Sequence, residues 1–407
     1  MRMQSAVRSR LTLSPTITRA SVLALAVVSA AALLAQGGAV MQEVHESGGH
    51  RFRLVTVAEG FQNPWAIAFL PNGDLLVTER AGRLRVIRGG QLQPAAISGV
   101  PEAKVGGQGG LLDVVLHPQF AKNQLVYLSY SKPSADGATN TTAIVRGKLE
   151  GDALTGVHEI FEAAAWSKGQ GHFGSRLAFD RDGLLFITIG DRQAPPAGDL
   201  EVHPAQLLSN HQGKVIRLHD DGRVPKDNPF VGRADAKPEI WSYGHRSLQG
   251  LAIHPDTGDI WQSEHGPQGG DELNLIRKGL NYGWPIVGFG VNYGADKRPI
   301  HAATSRAGLE SPAQHWVPSI ATSGLMIYSG AKYPNWKGNI FLGGMNGNGS
   351  LVRLTLKGQT VASESKMLGT TLRVRDVRQS PSGDIYLAID DRSGKLQTPI
   401  VRFEAVQ

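Results

Sequence analysis

Apolar and polar residues alternate along most of the chain in short runs, and the runs come in pairs. Residues 66–79, AIAFLPNGDLLVTE, show the unit: an apolar run, a Pro/Asn/Gly/Asp turn and a second apolar run. It returns at 113–130, 177–191, 251–264, 325–343 and 376–391. Alternation interrupted by Asn-Gly, Asp-Gly or Ser-Gly predicts a strand, a turn with positive φ and an antiparallel strand. Six copies, spaced roughly 45 to 80 residues apart, fit four-stranded units carrying insertions of different length. No i, i+3, i+4 stripe is sustained, so few helices are expected. The pattern predicts an all-β fold, a six-bladed β-propeller with four-stranded blades, over residues 51–407. The last copy lies near the C-terminus and residues 50–60 read as a strand. The ring is therefore expected to close by pairing the two chain ends within one blade. Separate β-sandwich domains would need a linker, and no Pro/Ser-rich or charged run supplies one.

The first 39 residues break this pattern. They carry Arg2, Arg8, Arg10 and Arg19 with no acid or lysine, then an apolar run at 22–35 and small residues up to 39. This is the layout of a secretory signal peptide, residues 1–39, followed by a polar linker over 40–50. The apolar run falls short of the ~20 residues of a membrane span; an uncleaved anchor is the alternative. The expected location is periplasmic, with no membrane span after signal removal. Losing the four arginines takes the formal charge from +7 to +3. No dense basic run with interleaved aromatics remains, which argues against a nucleic-acid partner. The chain has no cysteine, hence no disulfide and no thiolate site. Its 50 glycines suit many strands joined by tight turns.

Unusual polar residues recur at one place in the repeat, just before the first strand of each pair. In a propeller such loops converge on the mouth of the central channel. Gln108 lies among glycines before the second copy. His172, in GHFGSR, precedes the third; its residue type suits a general base, with an ordinary surface histidine as the alternative. His245 and Arg246 precede the fourth, where Arg246 could bind a carboxylate, polarise a carbonyl or sit in a structural ion pair. Arg373 and Arg375 precede the sixth. Alternation puts both on one face of a strand, and adjacent guanidiniums call for an anion or compensating carboxylates. After the fourth copy, GPQGGDE contributes Asp271 and Glu272, with Tyr282 beyond. Carboxylates and bent backbone suit calcium, although the spacing is not that of an EF-hand. One mouth with a Gln, a His, three Arg and a candidate calcium site suits an anionic ligand or cofactor.

Several long motifs stand in one order: GQGGLLDVVLHPQF, GHFGSRLAFDRDGLLFITIGDR, GHRSLQGLAIHP, EHGPQGGDELN, GLNYGWP and LRVRDVRQSPSGDIYL. Together, over about residues 52–403, they resemble the soluble quinoprotein aldose sugar dehydrogenases of the glucose/sorbosone dehydrogenase family. The resemblance implies a six-bladed propeller that binds pyrroloquinoline quinone (PQQ), a planar tricarboxylate ortho-quinone, and calcium (Ca2+). It implies oxidation of aldose sugars at C1 to lactones, with His172 as the base for the anomeric hydroxyl. The C1 hydride would pass to the C5 carbonyl carbon of PQQ, and Arg246 would polarise that carbonyl. By the same resemblance, Gln108, Tyr293 and the turn Ala321, Thr322 and Ser323 belong to the cofactor pocket, and Arg373 and Arg375 clamp carboxylates. The carbonyls of Gly266 and Pro267 would hold the calcium that bridges to PQQ. Glu272 and Tyr282, with Asp271, would form a second calcium site.

Two positions depart from the family pattern. Ser247 stands where Asn is usual, and Asn346 lies nearest the place of a lysine in some members. The change at Asn346 is expected to weaken PQQ binding by about 1.5–3 kcal/mol if that bond was charge-assisted. No haem-attachment motif is present, so an external electron acceptor is implied, and the protein is expected as a monomer or homodimer. Two other functions are open to the sequence. A calcium-dependent propeller lactonase would need carboxylates from several blades. A non-catalytic binding propeller that has lost PQQ is motivated by Ser247 and Asn346.

Overall fold

Each predicted pair of runs is an antiparallel strand pair. In the first copy Pro64–Phe69 pairs with Leu75–Glu79, with Ala68 opposite Leu76. Arg83–Arg88 and Gln91–Leu92 complete a four-stranded sheet, and four more four-stranded sheets follow along the chain. The structure, a computed structural model, describes residues 43–346, 351–368 and 372–406. The expected signal peptide and residues 40–42 of the linker lie outside the described residues, as do Gly347 and Asn348 next to Asn346.

The innermost strands are Pro64–Phe69, Leu111–Leu116, Leu177–Phe179, Ser247–Ile253, Thr322–Ile327 and Arg373–Gln379. Each touches the next, and the last touches the first, so the six blades close a ring. The sixth blade joins the chain ends: Thr398–Ala405 pairs with His50–Phe61 on one side and Ile385–Asp390 on the other. Phe52 stacks on Phe403 at 4.2 Å across that seam. A fifth strand, His45–Ser47, adds outside His50–Phe61, so the stretch expected as a linker over 40–50 already belongs in part to the blade. Apolar residues from facing sheets fill the gaps between blades; Leu76, Val86, Val114 and Leu128 belong to one such cluster. Among the described residues the α-helical content is one turn, Phe120–Asn123, and no helix is long and apolar enough to cross a membrane.

Polar side chains fill the space between the innermost strands. Arg176 is ion-paired with Asp376 at 2.9 Å and approaches Asp113 at 3.5 Å. Arg378 pairs with both acids at 2.8 Å. Backbone N–H groups from neighbouring blades add to these pairs: Leu177 donates to the Asp113 oxygen that the arginines leave, and Ile67 to the Asp376 oxygen that Arg378 also engages. Two cations and two anions from three blades thus form a neutral plug on the ring axis. Breaking such a buried pair costs far more than the pair contributes, so the plug holds the blades in register.

Candidate active site

Two kinds of loop in each repeat meet at one mouth of the ring. The leading loop runs into the innermost strand and carries Gln108, His172, Arg246 and Ala321. The trailing loop follows the second strand and carries Arg80, Asp191, His265, Met345 and Asp390 to Arg392. Backbone at the mouth is strained: Asn63, His172, Arg192 and Ala321 all have φ between +49° and +57°, a region costing non-glycine residues on the order of 1–3 kcal/mol. The two loops of the third blade approach so closely that a Cβ on Gly190 would fall 2.2 Å from the His172 carbonyl oxygen.

A cavity of about 300 Å³ opens at this mouth. Its wall includes Gln108, Gln249, His265, Ala321, Asn346, Arg373 and Arg375, together with Arg80, Asp390, Asp391 and Arg392. Four guanidiniums therefore face two carboxylates. Burial above all, and then Arg80, Arg176 and Arg373, push the Arg375 guanidinium down to about 10 against the pull of Asp390. Arg373 is lowered in the same way, by burial first, with Arg392 and Arg80 adding to it. Its Nε–H is buried without an acceptor. Arg375 donates to Gln249 Oε1 at 3.3 Å, and Gln249 donates to Ser247 Oγ at 3.1 Å. Ser247 thus reaches the cavity through Gln249. Thr322 and Ser323 are fully buried behind the wall; the Ser323 hydroxyl donates to the Val374 carbonyl. The Asn346 amide nitrogen donates to the Ser319 carbonyl at 2.6 Å.

His172 adjoins this wall. Its N–H donates to Gln108 Oε1 at 2.8 Å, and its Nδ1 lies 2.6 Å from Asp191 Oδ1. The other Asp191 oxygen accepts from the Trp284 indole at 2.8 Å. Burial opposes ionisation of Asp191, but His172, then Arg246, holds its carboxyl below the usual carboxylate range. Arg192 fixes the same loop from behind. It is buried, donates to the carbonyls of Gly169 and Gly171 and to Asn140, and lies 3.7 Å from the Phe173 ring. Arg246 lies 5.2 Å from the Trp284 ring and donates to the Gly266 carbonyl at 2.6 Å. Its N–H goes to Glu264, which also takes the His245 ring at 2.9 Å. His245, fully buried and stacked on Tyr282 at 4.5 Å, serves the fold.

A second cavity, about 20 Å³, lies on the far side of His265. Arg246, Glu264, Gly266, Pro267, Glu272 and Tyr282 line it, so residues expected at two calcium positions share one space. Asp271 points elsewhere. Its oxygens accept from the N–H groups of Gly266 and Ala321 and from the Ser319 hydroxyl, which shapes the loop. The Tyr282 hydroxyl donates to the Leu275 carbonyl, leaving only its backbone oxygen for a metal. Tyr293 lies on the outside of the same loop, its hydroxyl donating to the Pro267 carbonyl at 3.1 Å.

The sequence pattern of the Glucose / Sorbosone dehydrogenase family matches residues 61–398. The chain belongs to the glucose/sorbosone dehydrogenase family. Within it, the chain is 41% identical to aldose sugar dehydrogenase YliI of Escherichia coli over 338 residues, 82% of this chain and 89% of the relative. The solved apo-form of the soluble aldose sugar dehydrogenase of E. coli superposes with a TM-score of 0.80 at 37% identity, covering 87% of this chain and all of that one (100%). The PQQ-bound aldose sugar dehydrogenase of Streptomyces coelicolor gives 0.68 at 28% identity, over 87% of this chain and 98% of that one.

The residues present in this family member fit both groups that the resemblance implied. An anionic, planar ligand suits a cavity with surplus guanidiniums and an unpartnered Arg373 donor. Its volume, 300 Å³, is at the small end for a ligand pocket. A cation suits the carboxylates of Glu264 and Glu272 in the smaller cavity, where the Gly266 and Pro267 carbonyls already accept one bond each, from Arg246 and Tyr293. Burial, then Glu264, pushes the Glu272 carboxyl up to about 8, with Asp271 adding to it and Asn274 opposing. A bound cation would favour the ionised form of such a crowded buried carboxyl.

Sequence reasoning missed Arg80, Asp191, Gln249, Trp284, Asp390 and Arg392. A signal was present. Several second runs end in an acid and a base: Glu79-Arg80, Asp191-Arg192, Glu264-His265, Asp391-Arg392.

Proposed function

We propose that this protein is a periplasmic dehydrogenase that oxidises aldose sugars at C1 to lactones, with PQQ and calcium as its cofactors. The observation that carries this reading is the His172–Asp191 pair, at 2.6 Å, placed beside a cavity walled by four arginines. The relatives named above are aldose sugar dehydrogenases, one of them solved with PQQ.

The chain's own residues account for the proton. Asp191 accepts from Nδ1–H of His172, which leaves the Nε2 lone pair for the anomeric hydroxyl. An ionised Asp191 then stabilises the imidazolium that forms. Gln108 ties the His172 backbone to the cavity wall and so fixes the base relative to a bound ligand. PQQ, when bound, would supply a two-electron acceptor for the oxidation at C1. Arg246 offers an Nε–H without an acceptor to negative charge beside His265. Arg373 and Arg375 would hold the carboxylates of PQQ. Glu272 and the carbonyls of Gly266, Pro267 and Tyr282 would hold calcium. Electrons leave to an external acceptor, and residues 1–39 direct export.

Reconstitution tests the reading. Purified protein loaded with PQQ and calcium should reduce a dye when given aldoses. No turnover on any aldose, together with no absorbance change on adding PQQ, rules it out.

A further inference from the structure

The larger cavity holds more positive charge than the Arg373–Arg375 pair accounts for. Those two residues lie on one strand, two positions apart, and so present their guanidiniums from one side. Arg80 comes from the trailing loop of the first blade, and Arg392 from the trailing loop of the sixth. The acids nearby are already engaged. Asp390 accepts from Asn63 at 2.7 Å, with its other oxygen 3.6 and 3.8 Å from Arg373 and Arg375. Asp391 accepts from the N–H groups of Lys395 and Leu396 in its own turn. Arg80 makes one bond, to the Gly107 carbonyl at 2.7 Å. Among the described residues the Arg392 guanidinium has no hydrogen bond or ion pair.

Four guanidiniums crowded on one cavity repel one another unless an anion is present. A planar ligand with carboxylates on more than one edge needs cations on more than one side. We propose that Arg80 and Arg392 are PQQ-binding residues that meet carboxylate groups beyond the reach of Arg373 and Arg375. They supply the cation that the position of Asn346 lacks. The inference rests on reading this cavity as the PQQ site.

Titration of the cofactor-free protein with PQQ, in the presence of calcium and followed by absorbance, tests it without any turnover assay. Arg80→Gln and Arg392→Gln should each raise the PQQ Kd about tenfold, which corresponds to about 1.4 kcal/mol. Arg392→Lys should recover part of that loss. The trimethyl ester of PQQ, which has no carboxylate charge, should bind wild type and both variants alike. Variants that bind PQQ within about twofold of wild type overturn the proposal. So does an equal loss for PQQ and its ester, since that reports damage to the pocket and not a lost charge contact. Wild type that fails to bind PQQ at all overturns the reading of the cavity itself, and this inference with it.

Discussion

Two clusters built from the same side chains lie next to each other on the ring axis. In the plug, Asp113 and Asp376 match Arg176 and Arg378 one for one, and backbone N–H groups of Ile67 and Leu177 donate to the same carboxylates. At the mouth, Arg80, Arg373, Arg375 and Arg392 outnumber Asp390 and Asp391. The two clusters are in contact: Arg176 donates to the carbonyls of Gln249 at 2.7 Å and Arg375 at 3.2 Å. Residue type therefore does not separate structure from function here; charge balance does. A matched set fixes the protein to itself, whereas a surplus is held for something the protein binds. The plug also gives the mouth a rigid floor, because Arg176 holds the backbone of two residues that face the cavity.

Changes at the mouth should remove function and spare the fold, and the widest gap is expected at the base. His172→Ala should lower turnover by about 10²–10⁴-fold, the usual contribution of a general base, and leave PQQ bound. Steady-state kinetics beside PQQ absorbance checks this. Turnover near wild type would move the base elsewhere. At the plug the outcome should invert. Asp376→Ala leaves Arg176 and Arg378 with one carboxylate between them, and should cost about 3–5 kcal/mol of stability in urea unfolding.

That contrast also explains what could be read from the sequence. The blades were legible, because paired apolar runs with Asn-Gly and Asp-Gly turns recur and each run had to become a strand. The leading loops were legible because His172, Arg246, Arg373 and Arg375 are out of place in that pattern. Apart from the fourth, the trailing loops were hidden: Glu79-Arg80 or Asp391-Arg392 looks like ordinary charge at the end of a strand. Charge balance was hidden too. Arg373 and Arg378 stand in one strand, yet one belongs to the mouth and the other to the plug, and only their partners from other blades tell them apart. Asp271 looked like a metal ligand, but its oxygens close the loop that its neighbours build.

Arg375→Gln sharpens the comparison at lower magnitude. The replaced cation is already disfavoured, pushed down to about 10 by burial and then by its neighbours. Stability should stay within about 1 kcal/mol of wild type in urea unfolding, while PQQ binding weakens by about 1.5–3 kcal/mol, the value of a bond to a charged group. A loss of stability equal to that of Asp376→Ala would place Arg375 with the plug.

The smallest effect is expected at Asp191, a buried acid like those of the plug but bonded to His172. His172 and then Arg246 outweigh burial and hold its folded pKa below the ordinary carboxylate value of 3.8. The sign follows from proton uptake. As pH falls through the ordinary range, the unfolded chain binds a proton that the folded carboxylate still refuses, and stability drops. Asp191's contribution is therefore complete above the unfolded value and lost as pH falls through the lower folded one. Asp191→Asn removes the charge, so the stability gap between wild type and this variant should be constant near neutral pH and shrink below about pH 4. Urea midpoints measured from about pH 6 to pH 3 would show it. A gap that instead widens as pH falls over that range would mean that Asp191 is protonated in the folded protein and acts on His172 as a neutral hydrogen-bond partner. The ionised acid would then be missing from the mouth, and the base would lose the partner that stabilises its imidazolium.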